Sequence, residues 1–388
     1  MGKSVRIASD KDTKSEKKEE KSVVSAPEAP ADVSFRIVTG SYEHNLLCVS
    51  LALFKGNEVF TPIFHFTAHT QSIRCLARSK RYLVSGSNDE HIRIYDLQKR
   101  KELGTLLHHD GSITALEFFH DKWMLSGSDD GKICVWRVKD WEVLSEMKGH
   151  SGTVNDIAIH PTGRVALSVG NDKTMRLWNL MTGKKASIVR FQQVPLKVQW
   201  TADGTHIIVG FDRKVSIYST EMELLRAFDF RYPLLHMDVV SMDANYLITS
   251  HGDGKIALYK LDNLINLDQD VEDPVELVGH GSRVKHFDHL HDEDSGKHYL
   301  SSVSSDGKIV VWDMSIKDQI AVYSTGDRLN CVLMFPESIE RPETMKKQAG
   351  LEGTGEDTDF SASESEAEAP PPKKKQKKNK KSVSVELE

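Results

Sequence analysis

In the stretch Asp172-Lys-Thr-Met-Arg-Leu-Trp178 an acid sits in a polar turn and an alternating apolar/polar run follows, closed by an aromatic. Alternation with period two over four to eight residues, bounded by Gly, Asn, Asp and Ser, marks half-buried strands joined by tight turns. The figure returns along the chain, with the aromatic always six residues after the acid: Asp89 and Tyr95, Asp130 and Trp136, Asp172 and Trp178, Asp212 and Tyr218, Asp253 and Tyr259, Asp306 and Trp312. Glu43 and Val49 give a weaker copy at the front. Successive acids lie 46, 41, 42, 40, 41 and 53 residues apart. A period near forty with four short strands in each predicts radial repetition of small sheets.

That pattern predicts an all-β fold, a seven-bladed WD40 β-propeller over residues 34–336. Second and third strands fall at 35–50, 82–96, 123–137, 165–179, 206–219, 246–260 and 299–313. The run Phe35-Arg-Ile-Val-Thr-Gly-Ser aligns with Tyr82-Leu-Val-Ser-Gly-Ser, so the chain enters its first blade at the second strand. The missing first strand is expected at 328–335, where Arg328-Leu-Asn-Cys-Val-Leu-Met-Phe reads like Ser72-Ile-Arg-Cys-Leu-Ala and nothing repeat-like follows. Pairing the two ends closes the ring and removes sheet edges that would recruit foreign strands.

Four blades carry a matched set of polar residues: His69, Ser85, Asp89 and Tyr95; His109, Ser126, Asp130 and Trp136; His150, Ser168, Asp172 and Trp178; His280, Ser302, Asp306 and Trp312. A Ser-His-Asp triad occurs once in an enzyme, at one pocket. Four copies at matched spacing point instead to a repeated structural tetrad, in which carboxylate, imidazole, hydroxyl and indole or phenol satisfy one another. The repeats of Asp212 and Asp253 lack the upstream histidine. No phosphate-binding loop, dinucleotide fingerprint or nucleophile elbow occurs, so the expectation is a non-enzymatic binding scaffold without cofactor.

Composition refines this reading at the ends. The net charge of −6 conceals segregation. Residues 1–33 are rich in Lys, Glu, Ser, Ala and Pro and are expected to be disordered, as are residues 337–388. Residues 352–368 hold seven acids and no base, and 373–381 hold seven lysines, Lys373, Lys374, Lys375, Lys377, Lys378, Lys380 and Lys381. Such a basic run reads as a nuclear import signal, and it also suits weak contact with RNA phosphates. Ser361, Ser363 and Ser365 each precede a Glu by three residues, an acidophilic phosphorylation pattern. The long last period reflects an acidic insertion at 262–276 and a His-rich segment at 288–298, both expected on the surface. His286, His289, His291, Asp292, Asp294 and His298 are weighed as metal ligands and set aside, because their spacing is not ordered for ligation. Four cysteines, Cys48, Cys75, Cys134 and Cys331, stand singly and read as core thiols. No eighteen-residue apolar run occurs, so no membrane span is expected.

Partner binding is expected on the face where second-to-third-strand turns and the loops into each first strand emerge. Where the histidine is missing, turns and loops are released from tetrad duty. Phe211, Arg213, Arg231, Tyr232 and His251, with Tyr42 from the first blade, are therefore the candidate protein-binding residues, since exposed aromatics and arginines make binding hot spots. The alternative is that these side chains fill space left by the missing tetrads.

Three runs resemble a known family: Ala166-Leu-Ser-Val-Gly-Asn-Asp-Lys-Thr-Met-Arg-Leu-Trp-Asn-Leu180, His108-His-Asp-Gly-Ser-Ile-Thr-Ala-Leu-Glu-Phe118, and Gly127-Ser-Asp-Asp-Gly-Lys-Ile-Cys-Val-Trp136 followed by Lys139-Asp-Trp-Glu. They resemble the p21-activated-kinase-interacting protein family, whose fungal members are called maintenance-of-killer protein eleven. The likeness spans 35–335 and extends to the Lys-rich tail. It implies a nucleolar factor in assembly of the large ribosomal subunit and pre-rRNA processing. The partners implied are pre-ribosomal particles and basic ribosomal or assembly-factor proteins. It also implies, as an alternative, an adaptor that negatively regulates a p21-activated kinase. A ubiquitin-ligase receptor is disfavoured, because Trp312-Asp313-Met314 is followed by Ser315 where such receptors carry arginine.

Overall fold

The computed structural model describes residues 33–339, except 55–56, 267–272 and 294. Seven four-stranded antiparallel sheets stand around a central channel. Their innermost strands are Leu329–Pro336, Ile73–Arg78, Ile113–Phe119, Val154–Ile159, Lys197–Trp200, Leu234–Ser241 and Val284–Asp292, which we number as blades one to seven. Each contacts the next around the ring, and the seventh returns to the first. Blade one is made from both ends of the described chain: Leu329–Pro336 pairs antiparallel with Val33–Ser41, with Val38 opposite Leu333.

The burial pattern explains why the strands pair this way. Adjacent strand residues point to opposite faces of a sheet. In a propeller both faces of a blade are covered by its neighbours, so the inner strands are apolar on both sides. Leu83 packs toward blade one and the next residue, Val84, toward blade three. Seven such buried clusters each bridge two adjacent blades. Exposed apolar side chains occur on outer strands such as Glu142–Lys148, where Leu144 is exposed, and in loops, as at Leu107 and Tyr232.

Two segments expected on the surface are partly interior. The insertion after the third strand of blade six opens with a short helix, Leu261–Ile265, whose Leu261 and Leu264 are buried in the cluster between blades five and six. The apolar residues at i, i+3 and i+4 give it one buried face. Asp268, Asp270 and Glu272 lie outside the described residues. In blade seven, residues 288–292 continue the inner strand and 297–298 begin the second, so only the turn between them is loop. The fold reaches into both expected tails: Val33 opens a strand, and Glu337–Ile339 form a single helical turn whose Glu337 accepts from Arg36 at 2.6 Å. The rest of both tails, with the lysine run and the three serines at 361, 363 and 365, lies outside the described residues. No described helix is long and apolar enough to cross a membrane.

Candidate partner-binding face

The turns that carry the repeat acids, and the loops into the first strands, emerge on one face. Beneath it lie the tetrads. In blade four His150 Nδ1–H donates to Asp172 at 3.0 Å, Ser168 donates to His150 Nε2 at 2.7 Å, and the Trp178 indole donates to Ser168 at 2.8 Å. Blade three repeats this with His109–Asp130 at 3.1 Å and with Ser126 2.8 Å from both His109 and Trp136. In blade seven Ser302 is 2.8 Å from His280 and from Trp312, while His280 and Asp306 sit farther apart at 3.4 Å. Blade two has His69–Asp89 at 3.0 Å and His69–Ser85 at 2.7 Å, but the buried Tyr95 hydroxyl makes no hydrogen bond. The phenol therefore does not play the indole's part, and blade two holds a triad of side chains beside an unpaired hydroxyl.

Burial fixes the protonation states. It lowers all four tetrad histidines below their ordinary value, outweighing the upward pull of the partner carboxylates. Burial also pushes Asp172 upward, yet hydrogen bonds from Thr174 and His150 outweigh it and hold the carboxyl well below its usual range. The bonded state is thus neutral imidazole beside carboxylate. Ser85, Ser126, Ser168 and Ser302 are fully buried, so none is placed to attack a substrate. The turns need unusual backbone: Gly131 has φ +76°, and a Cβ there would stand 2.8 Å from the His150 carbonyl oxygen of the next blade.

Blades five and six fill the same space with rings. Phe191 packs edge-on against Phe211 at 5.4 Å and near Tyr218 at 5.9 Å. Phe230 packs on His251 at 4.5 Å, and His251 Nε2 meets Thr249 Oγ1 at 2.9 Å. Two of the six candidate contact residues are therefore interior: Phe211 is 4% exposed and His251 7%. Both belong to the packing that replaces a tetrad. The other four reach solvent. The Arg213 side chain is 61% exposed, Arg231 lies 5.4 Å from the ring of exposed Tyr232, and half-buried Tyr42 sits between Lys285 and Arg328 with its hydroxyl accepting from Lys285 at 3.1 Å.

Sequence reading missed the polar layer of the channel. Glu117 accepts the Ile159 N–H of the next blade at 3.0 Å, Asp156 accepts that of Val198 at 3.0 Å, and Asp288 accepts that of Met334 at 2.6 Å. Burial raises all three carboxyls, Glu117 to about 8. The signal was an acid at alternating positions of otherwise apolar strands. The histidines weighed as metal ligands are dispersed: His286 stacks on His236 at 3.9 Å, His291 on His298 at 4.3 Å, and His289 faces Asp238 at 3.6 Å. Asp294 lies outside the described residues. Among the described residues no group of three or more His, Cys, Asp or Glu is arranged to hold a metal. The four cysteines are free thiols, and burial pushes Cys75 and Cys134 up to about 12.

Seven four-stranded blades, three of them pinned by His-Ser-Asp-Trp bonds, define a WD40-repeat propeller, and the WD domain, G-beta repeat family matches residues 60–96, 100–137 and 141–179. The chain is 46% identical over 358 residues to Protein MAK11 of Saccharomyces cerevisiae, covering 81% of this chain and 86% of that one. It is 32% identical over 314 residues to p21-activated protein kinase-interacting protein 1 of Homo sapiens, covering 78% of each. A more distant relative, Shk1 kinase-binding protein 15 of Schizosaccharomyces pombe, is 26% identical over 324 residues, 81% of this chain and 88% of that one. The chain belongs to the family of MAK11 and the p21-activated protein kinase-interacting proteins, and is a WD40 scaffold protein.

Proposed function

We propose that this chain is a non-enzymatic scaffold in nucleolar assembly of the large ribosomal subunit and pre-rRNA processing. On this reading it holds protein clients of the pre-ribosome on the face described above. The observation that carries it is the near full-length similarity to MAK11. The lysine run 373–381 supports nuclear import and weak RNA contact. Arg213, Arg231, Tyr232 and Tyr42 are the residues we assign to client contact. Arginine and tyrosine are enriched where single side chains carry binding energy, and truncating such a residue costs about 2 kcal/mol or more.

Two experiments test the reading. The first is affinity purification of the full chain with RNA sequencing and mass spectrometry, together with localisation. Large-subunit precursors and nucleolar enrichment are expected. The second is the double variant Arg231→Ala with Tyr232→Ala, which is expected to keep its melting temperature and lose pre-ribosomal proteins. Unchanged recovery of those proteins would move the client site elsewhere. A second reading rests on the names of the relatives, which include kinase-interacting and kinase-binding proteins. On that reading the chain binds and restrains a p21-activated kinase. Recovery of such a kinase without ribosomal precursors, with cytoplasmic localisation, would favour it.

A further inference from the structure

Blade five leaves an opening where its neighbour is sealed. In blade four the turn acid Asp172 is held inside by His150, and its side chain is 6% exposed. In blade five Phe191 turns inward onto Phe211 and Tyr218, and the turn acid Asp212 stands 73% exposed. Between this freed turn and Lys173 of blade four lies a hollow of about 670 Å³.

Its lining has a definite chemistry. Lys173, Arg213 and Lys214 bring three cations to its lining. No ion pair engages Lys173 or Lys214 among the described residues, and Arg213 has only its neighbour Asp212, at 3.7 Å. Half-buried Val194 and Leu196 form an apolar floor, and exposed Gln192 and Gln193 stand beside it. A glutamine side chain both donates and accepts, which suits the backbone of an extended peptide. Asp212 and Asp229 line the hollow as well. A polyphosphate would bring continuous negative charge against those carboxylates. A peptide can place one or two carboxylates between them.

We propose that this hollow binds a short extended segment of a client protein in which an acidic side chain adjoins an aliphatic one. The acid meets Lys173, Arg213 and Lys214, and the aliphatic side chain rests on Val194 and Leu196. The inference rests on the reading that this face engages protein clients, and it specifies their chemistry.

The test uses the full-length protein and fluorescence anisotropy. The probes are labelled nine-residue peptides with Ser-Gly flanks around Leu-Asp-Glu, Leu-Asn-Gln or Ser-Asp-Glu, and a nine-nucleotide single-stranded RNA. The Leu-Asp-Glu peptide is expected to bind, and both altered peptides to bind at least ~10-fold more weakly, a difference of about 1.4 kcal/mol. Lys173→Glu with Lys214→Glu is expected to weaken binding by at least ~10-fold at unchanged melting temperature. If that variant melts early, Lys173→Gln with Lys214→Gln takes its place and is expected to show a smaller loss in the same direction. Loss of native partners in the Arg231→Ala, Tyr232→Ala variant, with their retention in the lysine variant, would overturn the hollow while leaving the client reading intact. Equal binding of the three peptides, no binding of any, or tighter binding of the RNA would each overturn the proposal.

Discussion

Blades four and five stand side by side and fill one space in two ways. Blade four uses His150, Ser168, Asp172 and Trp178, joined by hydrogen bonds from the turn to the third strand. Blade five uses Phe191, Phe211 and Tyr218, held by ring contacts. Both fill the seam between blades. The difference lies in what each leaves outside. A tetrad draws its turn acid into the interior, because a buried polar chain is stable only when every member is paired. Ring packing makes no such demand, so Asp212, Arg213 and the loop above them are left to solvent. Blade six does the same with Phe230, His251 and Tyr259. The absence of a tetrad in blade five therefore leaves its turn open to solvent.

Breaking what both blades share should have the largest effect. A chain ending at residue 327 lacks Leu329–Pro336, whose Leu329, Cys331, Val332, Met334 and Phe335 are almost fully buried. It also leaves Val33–Ser41 as an unpaired edge. Loss of the cooperative thermal transition and aggregation are expected; an unchanged melting curve would mean that the ring does not depend on its closing strand.

The comparison itself is tested by removing the same acid from each blade. Asp172→Ala strands His150 and the backbone N–H of Ser151, so we expect a loss of about 2–4 kcal/mol in denaturant unfolding. Asp212→Ala removes an exposed carboxylate and should stay within about 0.5 kcal/mol of the parent. Equal losses at the two positions would show that blade five depends on its turn acid after all.

The repeat, the blade number and the tetrad residues other than Tyr95 were legible because each is written locally, as an acid, an aromatic and an alternating run at fixed spacing. What failed depends on a neighbour. Phe211 looks like an exposed turn aromatic until the space vacated by a histidine is seen to need filling. Leu261, Leu264 and Ile265 carried a helical pattern, but the acidic residues after them hid it. Glu117, Asp156 and Asp288 reveal their role only when the next blade's backbone N–H is in place.

Those channel acids give a third test, because they respond to pH in the opposite sense from the tetrads. The tetrad histidines have folded values below their unfolded one. The stability they lend is present above about pH 6.5 and is lost as pH falls below it. Glu117, raised by burial to about 8, contributes stability that is complete below its unfolded value and is lost as pH rises through 8. Glu117→Gln keeps an acceptor for the Ile159 N–H and removes the titration. Its melting temperature should match the parent at pH 5.5 and exceed it by a few degrees at pH 9, on the order of 1 kcal/mol. A parent and variant that decline equally from pH 6 to 9 would show that the acid stays ionised and bonded.

The smallest effect separates blade two from the other tetrad blades. Tyr95 stands where Trp136, Trp178 and Trp312 stand, and its hydroxyl is buried without a partner. Burial pushes that phenol up to about 12, so it stays protonated. Tyr95→Phe removes a polar group that contributes no bond, and the ring still fills its place between blades one and two. Leaving a buried polar group unpaired costs about 1–3 kcal/mol, so its removal should be neutral or stabilising. Trp178→Phe, by contrast, takes the indole N–H from Ser168 and opens a cavity in the seam with blade three, for an expected loss of about 2–4 kcal/mol. Urea midpoints for the two variants decide the matter. If Tyr95→Phe costs as much as Trp178→Phe, the phenol is bonded to Ser85 in solution, and blade two carries a complete tetrad.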